Sequence, residues 1–120
     1  MTGPQVQWLA DGRLHLQHGP IDLICEAWGT GAAVEAAYRR AVARFETVLP
    51  ELVAELPALR SERALLSGGI ARRMAAAVQP FRPAFITPMA AVAGSVAEEI
   101  LAQMIGPGIA RAYVNNGGDI

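Results

Sequence analysis

The sequence predicts an α+β fold, in which an N-terminal β-meander and a later strand form a mixed or antiparallel sheet with helices packed on it. Three observations indicate this class. Apolar residues alternate over residues 1–28, they recur at helical spacing over residues 30–79, and a strand pattern returns within residues 80–120 after a further helix. With 120 residues, of which 52% are hydrophobic, the chain can bury a core as a single domain.

Residues 1–28 are predicted to form three strands. A short run at Gln5–Leu9 is followed by Asp11-Gly12, a dipeptide that favours a tight hairpin. Leu14–Leu16 begins a second strand, because apolar and polar residues alternate there with the period of a half-buried strand. Gly19-Pro20 marks the next turn, and Ile21–Trp28 is predicted to be the third strand.

Residues 30–79 are predicted to be helical. The first helix begins near Thr30, and its apolar face consists of residues three or four apart, namely Val34, Tyr38, Ala41, Phe45 and Val48. Pro50 is predicted to begin a second helical segment, since proline is tolerated in a first turn. A short third helix follows, and its apolar face carries Ile70, Met74 and Val78.

Residues 80–120 are predicted to contain an extended segment, a helix and a strand. Thr87 and Pro88 have the residue types of a helix N-cap and first helical position, and this helix is predicted to end at Met104. Its first half is rich in small residues, Gly94 among them, which allows close approach of another backbone. The strand that follows leads into a polar, glycine-containing turn formed by Asn115, Asn116, Gly117, Gly118 and Asp119.

Composition excludes several classes of function. Ten arginines and eleven acids give a net charge of −1, so the chain has no excess of cations with which to bind DNA or RNA. It contains no lysine, which excludes a lysine Schiff base and a P-loop lysine. A single cysteine excludes internal disulfides, and the longest apolar stretch is too short to cross a membrane. We therefore expect a cytoplasmic protein with no nucleic-acid or membrane partner.

The arginines of the second half suggest an anion site. Residues 63–97 contain four arginines and no acid, and they lead into the predicted helix start, where free backbone N–H groups and the helix dipole favour an anion. A phosphate or carboxylate ligand is therefore predicted beside Arg82, Thr87, Pro88 and Met89. The alternative is that these arginines pair with surface glutamates and bind nothing.

The turn after the last strand is a second candidate for ligand contact. Gly117 and Gly118 permit close approach of the backbone to a ligand, or a positive φ. The side chains of Asn115, Asn116 and Asp119 could orient a ribose, an amide or a metal ion. The alternative is an ordinary hairpin turn, because Asn-Gly is a favoured turn dipeptide.

The remaining chemically versatile side chains favour structural roles. His15 and His18 lie three apart on a strand, which places them on opposite faces, and we expect both to be solvated rather than to share a metal. Cys25 alternates with apolar residues and is expected in the core. Glu98 and Glu99 are adjacent on a helix and face different directions, so we expect one in solvent and the other near the glycine turn.

A sequence resemblance adds to these predictions. Val114–Ile120 matches the pattern V-N-x-G-G-D-[IL], and Gly94 and Glu98 lie at the spacing of the helix that precedes this pattern. On these residues, and on the segments HGPIDLICEAWG and PMAAVAGSVAEE, the sequence resembles the ApbE-like superfamily of FAD:protein FMN transferases. It is most similar to a bacterial and archaeal branch described only as an uncharacterised protein family. The resemblance implies one β-α-β half of a two-half fold and FAD or FMN with Mg²⁺ as cofactors, although the magnesium ligands of the transferases belong to the other half. Within this chain, Asp119 or Glu98 is expected to orient a polar group or a metal ion.

The departures from that pattern limit the implied activity. The lysine of the transferase helix is Ala93 here, and its aspartate is Glu98. The expected function is binding of a flavin, a nucleotide or another phosphate-bearing ligand between Thr87 and the turn at Asn116–Asp119. When complete, the protein would be a transferase or hydrolase acting on a phosphate anhydride, with catalytic residues that the sequence does not identify. The alternative is a non-catalytic binding or assembly domain that kept the fold and lost the chemistry.

The resemblance also implies a partner. The expected partner is a second polypeptide, the remainder of the same protein, that completes the sheet beyond Ile120. The alternative is a homo-oligomer that uses the same sheet edge. A third possibility is a helix–helix interface formed by the small residues Ala90, Gly94 and Ala97.

Overall fold

The computed structural model describes residues 3–60, 68–79 and 92–116. In these residues a four-stranded sheet consists of β1 (Gln5–Trp8), β2 (Leu14–His18), β3 (Ile21–Gly29) and β4 (Ile109–Asn116). The helices are α1 (Gly31–Ala54), the one-turn α2 (Leu56–Leu59), α3 (Gly69–Val78) and α4 (Val92–Met104). Neighbouring strands pair antiparallel in the order β1-β2-β3-β4, and the predicted α+β class is confirmed. Within the described ranges, no helix has both the length and the apolar character that a membrane crossing requires.

One face of the sheet is covered by helices, and the other face carries both polar and aromatic side chains. Alternate residues of β2 and β3 are buried, and the pairs they form include Leu16 with Leu23 and Leu14 with Cys25. These side chains pack against the buried face of α1, including the fully buried Phe45. The intervening residues of the same strands point to the opposite side, which we call the outer face of the sheet.

Helix α1 is longer than the sequence predicts. Its N-cap is Thr30, whose hydroxyl accepts a hydrogen bond from the Ala33 N–H at 3.3 Å. The prediction that Pro50 begins a separate helix is wrong, because α1 continues through this proline to Ala54. Val48 and Leu52, on either side of it, both lie on the buried face. Burial of this continuous apolar face outweighs the hydrogen bond that proline cannot donate.

Helix α4 runs antiparallel to α1 and is followed directly by β4. The Arg40 guanidinium donates to the carbonyls of Gln103 and Met104 at the end of α4, whereas Arg44, one turn further along α1, contacts Glu99 earlier in α4. A connection of four residues, 105–108, then returns the chain along α4 as β4. The described start of α4 and the end of β4 therefore lie at the same end of the domain.

The Cys25 thiol is expected to resist alkylation in the folded protein. This side chain is fully buried on the helix-facing side of β3, and burial raises its pKa from 9.0 to about 12. Iodoacetamide at pH 8, read out by intact mass, should leave the native chain unmodified and should label the urea-unfolded chain. The thiol stabilises the native state fully below about pH 9, and this contribution declines as pH rises towards 12. Rapid labelling without denaturant would contradict this burial.

Candidate functional site

Part of the predicted ligand site falls outside the described residues. The positions concerned are Arg82, Thr87, Pro88, Met89, Gly117, Gly118 and Asp119. The described positions of the predicted site are Gly94 and Glu98 on α4 and Asn115 and Asn116 on β4. The described part of the predicted site therefore consists of these four residues and the elements that surround them.

The topology brings three chain segments to one end of the domain. The start of α4 and the end of β4 lie at the same end of the domain, because the chain reverses between these two packed elements. The last described residue of β4, Asn116, pairs with Leu23, which is three residues after Pro20 in the β2–β3 turn. We call this end, formed by the start of α4, the end of β4 and the β2–β3 turn, the asparagine end.

The two described asparagines point to opposite faces of the sheet. Asn116 is half-buried and pairs with Leu23, so its side chain lies on the face that the helices cover. Asn115 is exposed and pairs with Ile24 on the outer face. Because successive side chains of a strand point in opposite directions, one small ligand on the helix-facing side contacts Asn116 and not Asn115.

The adjacent glutamates of α4 have separate environments. The Glu98 side chain is 67% exposed, and its Oε1 lies 4.0 Å from an Arg73 nitrogen. The Glu99 carboxylate binds Arg44 at 2.8 Å and Arg73 at 3.2 Å. The turn at Gly117-Gly118, near which one glutamate was predicted, lies outside the described residues. Apart from Gly94, its neighbours in the chain and the adjoining backbone of α4, no described atom lies within 4 Å of the position that a Cβ on Gly94 would occupy. The space beside Gly94 is therefore open within the described part of the chain.

An ion-pair network joins α1, α3 and α4. Arg44 contacts Glu99 at 2.8 Å and Glu51 at 3.0 Å, and all three side chains are less than one quarter exposed. Burial opposes the charged form of Arg44, but its hydrogen bonds to Glu99 and Glu51 outweigh burial and raise its pKa. Arg73, one of the four arginines of the cationic segment, belongs to this network through Glu99. Its charge is therefore already paired within the fold.

The N-terminus of α3 is occupied by carboxylates of the chain itself. The Gly68 N–H donates to Glu55 at 2.6 Å, and the Ile70 N–H donates to Glu51 at 3.4 Å. A carboxylate at a helix N-terminus satisfies free N–H groups and interacts favourably with the helix dipole. These contacts leave α3 unsuited to binding an external anion at its start.

His18 is a polar residue at the asparagine end that the sequence analysis did not single out as a site residue. It is 6% exposed, its ring centroid lies 6.4 Å from that of Phe45, and its Nδ1 has no hydrogen-bond partner among the described residues. The expectation that both histidines are solvated is wrong for His18, because it continues the buried row of β2. His15 lies on the opposite face, as predicted, and its Nε2 is 2.5 Å from Asp22.

Two cavities are lined by described residues. A pocket of about 210 Å³ lies beside His18 and is lined by Gly3, Gln5, Gln17, His18 and Gly19. An apolar groove of about 430 Å³ lies between β1 and α1, away from α4 and β4. The described ranges contain no group of three histidine, cysteine, aspartate or glutamate side chains that could hold a metal ion. The predicted metal ligand, Asp119, lies outside those ranges.

Comparison with known proteins corrects the resemblance to flavin transferases. The family model that matches the chain, over residues 6–120, is AbpE_bact, described as "AbpE bacteria", and not the FAD:protein FMN transferases. No curated protein and no solved structure matches the sequence. The motif on which the transferase resemblance rested, Val114–Ile120, consists largely of glycine, asparagine and aspartate, which are residue types common in turns. Because the match covers nearly the whole chain, the protein belongs to the AbpE_bact family.

Proposed function

We propose that the protein binds a small phosphate-bearing ligand at the asparagine end, on the side of the sheet that faces the helices. One observation carries the proposal: the start of α4 and the half-buried Asn116 at the end of β4 lie at the same end of the domain. The Asn116 amide group can donate hydrogen bonds to phosphate oxygens, and the positive end of a helix dipole favours an anion. Arg82 and Thr87–Met89, which precede α4, are the further contacts that this proposal includes.

The described charges are compatible with an anionic ligand at this end. Glu99 is neutralised by Arg44 and Arg73. Glu51 and Glu55 accept hydrogen bonds from the start of α3. Among the described residues, these carboxylates are thus engaged within the fold, and the exposed Glu98 lies 4.0 Å from Arg73. The proposal extends to a nucleotide or a flavin nucleotide as the ligand, because both carry phosphate.

The proposal is tested with two matched asparagine variants. Isothermal titration of the wild-type protein with inorganic phosphate, pyrophosphate, ADP and FMN first identifies the probe that binds most tightly. Asn116→Ala is expected to weaken that probe about tenfold, since a hydrogen bond to a charged group is lost. Asn115→Ala, on the outer face, should bind as wild type does. Absence of binding by all four probes, or equal weakening by both variants, would contradict the proposal.

A non-catalytic assembly role is the second candidate, and the outer face of the sheet supports it. Trp28 is 37% exposed there, Arg111 lies 4.7 Å over its ring, and the Tyr113 hydroxyl donates to Glu26 at 3.0 Å. Aromatic side chains and arginine are enriched at protein interfaces. The partner proposed on this side is a second polypeptide, the remainder of the same protein, that pairs with β4. The proposal includes a cytoplasmic location, which rests on the single cysteine.

A further inference from the structure

We propose that two copies of this chain associate about a two-fold axis that runs between them, beside β1 and α1, so that each copy covers the apolar groove of the other. The groove has a volume of about 430 Å³ and is lined by Val6, Trp8, Tyr38, Arg39, Val42, Ala43 and Glu46. This surface is separate from the asparagine end, so the inference is independent of the proposed ligand.

The groove exposes large apolar side chains beside a free strand edge. Val6 is 41% exposed and Trp8 is 57% exposed, although the Trp8 ring packs edge-on against Tyr38 at a centroid distance of 5.2 Å. Among the described strands β1 lies at an edge of the sheet, where it pairs with β2 alone. An edge strand presents unpaired N–H and C=O groups to which a second strand can add. A partner that supplies both a strand and an apolar surface satisfies both features.

The positions of the charged residues in the groove favour a second copy of the chain as that partner. Arg39 and Glu46 are seven residues apart on α1, about 10.5 Å along the helix axis, and Val42 and Ala43 lie midway between them. A two-fold axis that passes beside α1, level with Val42 and Ala43, places two antiparallel helices side by side. Arg39 of each copy then faces Glu46 of the other, so the opposite charges meet twice. The surface is thus complementary to itself, as a two-fold interface requires.

The same axis also suits the strands. Trp8 contacts Tyr38, so β1 lies beside the part of α1 that is nearest to the axis. Antiparallel pairing of β1 with β1 of the second copy would join the two four-stranded sheets into one of eight strands. Arg39 already binds Glu35 at 2.7 Å, but both side chains are about two-thirds exposed. Such an exposed pair contributes little, so Arg39 is available to a partner.

Charge reversal tests the proposed axis directly. Sedimentation equilibrium over a concentration series should show a monomer–dimer equilibrium for the wild-type chain. Arg39→Glu and Glu46→Arg are each expected to raise the dimer Kd about tenfold, because two attractive contacts become repulsive. An equimolar mixture of the two variants should dimerise as wild type does, since both cross-subunit pairs regain opposite charges. A monomeric wild type, or a mixture no better than its components, would overturn the proposal.

Two exposed tryptophans provide a matched comparison. Trp8→Ser should raise the dimer Kd about thirtyfold or more, as expected for an aromatic side chain near the centre of an interface. Trp28→Ser removes an exposed tryptophan from the outer face and should leave the Kd unchanged. Circular dichroism of each variant confirms that the fold is retained. Equal effects of the two substitutions, or dimerisation unaffected by Trp8→Ser, would place the interface elsewhere and overturn the proposal.

Discussion

Replacement of Phe45 by alanine is expected to lower the free energy of unfolding by about 3–5 kcal/mol. The Phe45 side chain is fully buried between α1 and the sheet, and its ring lies beside His18. Removing the ring forfeits its transfer free energy and leaves a cavity that a close-packed core fills only in part. Urea unfolding followed by circular dichroism measures the change.

Phe45→Leu is the control for this prediction. Leucine retains much of the apolar volume, so its cost should be at most about 2 kcal/mol. If the alanine variant does not fold at all, the leucine variant should still unfold cooperatively at a lower urea concentration than wild type. Equal stability of both variants and the wild type would show that Phe45 is not a core residue.

Replacement of Arg44 by alanine is expected to cost about 2–3 kcal/mol, the second-largest effect. Arg44 is 17% exposed and lies between the carboxylates of Glu51 and Glu99, which are 24% and 14% exposed. Within the described network, its removal leaves Glu51 without a cation and leaves Arg73 as the cation that contacts Glu99. The loss of stability therefore comes mainly from the unneutralised charge of carboxylates that are partly buried between the helices. The same urea experiment measures it.

Arg39→Ala provides the matched comparison on the same helix. Arg39 pairs with Glu35, one turn earlier, and both side chains are mostly exposed. An exposed pair of this kind contributes about 0.3–0.5 kcal/mol, so this variant should unfold close to wild type at a protein concentration at which both chains are monomeric. If Arg44→Ala and Arg39→Ala were equally mild, the network between α1 and α4 would not be a stabilising feature.

Local patterns predicted most of the described elements. The hairpin signal at Asp11-Gly12 and the alternation through β2 and β3 agree with the strands observed, and α4 ends at Met104 as predicted. Pro50 was misinterpreted because a local rule about proline does not include the burial of Val48 and Leu52 on either side of it. The cost of a proline is local, whereas the gain from the buried face depends on the sheet beneath it.

The burial of His18 follows from the alternation of β2, although histidine is a polar residue type. His18 follows Leu14 and Leu16 in the alternation of β2, so the period of two already placed it on the buried face. The preference of histidine for partly exposed sites led to the opposite expectation. The pairing of His18 with Ile21, next to the core, determined its burial.

The candidate site could be predicted only in part. The sequence places polar residues at the end of a strand, but register decides that Asn116 faces the helices and Asn115 does not. It also places two adjacent glutamates on α4, but the packing of α1 and α3 decides that Glu99 joins an ion-pair network. The resemblance to flavin transferases is wrong, because the family model that matches residues 6–120 is AbpE_bact. The departures from the transferase pattern at Ala93 and Glu98 agree with this correction.

The sequence by itself determined the α+β class, the meander and the helical faces, because these follow from periodicity, capping and turn residues over short distances. Tertiary structure alone decided which charged side chains pair between different elements, which asparagine faces the helices and where apolar surface stays uncovered. Arg44 and Glu99 are 55 residues apart, and Trp8 and Tyr38 belong to different elements. Contacts of this kind depend on how helices lie on the sheet, and no local pattern contains that arrangement.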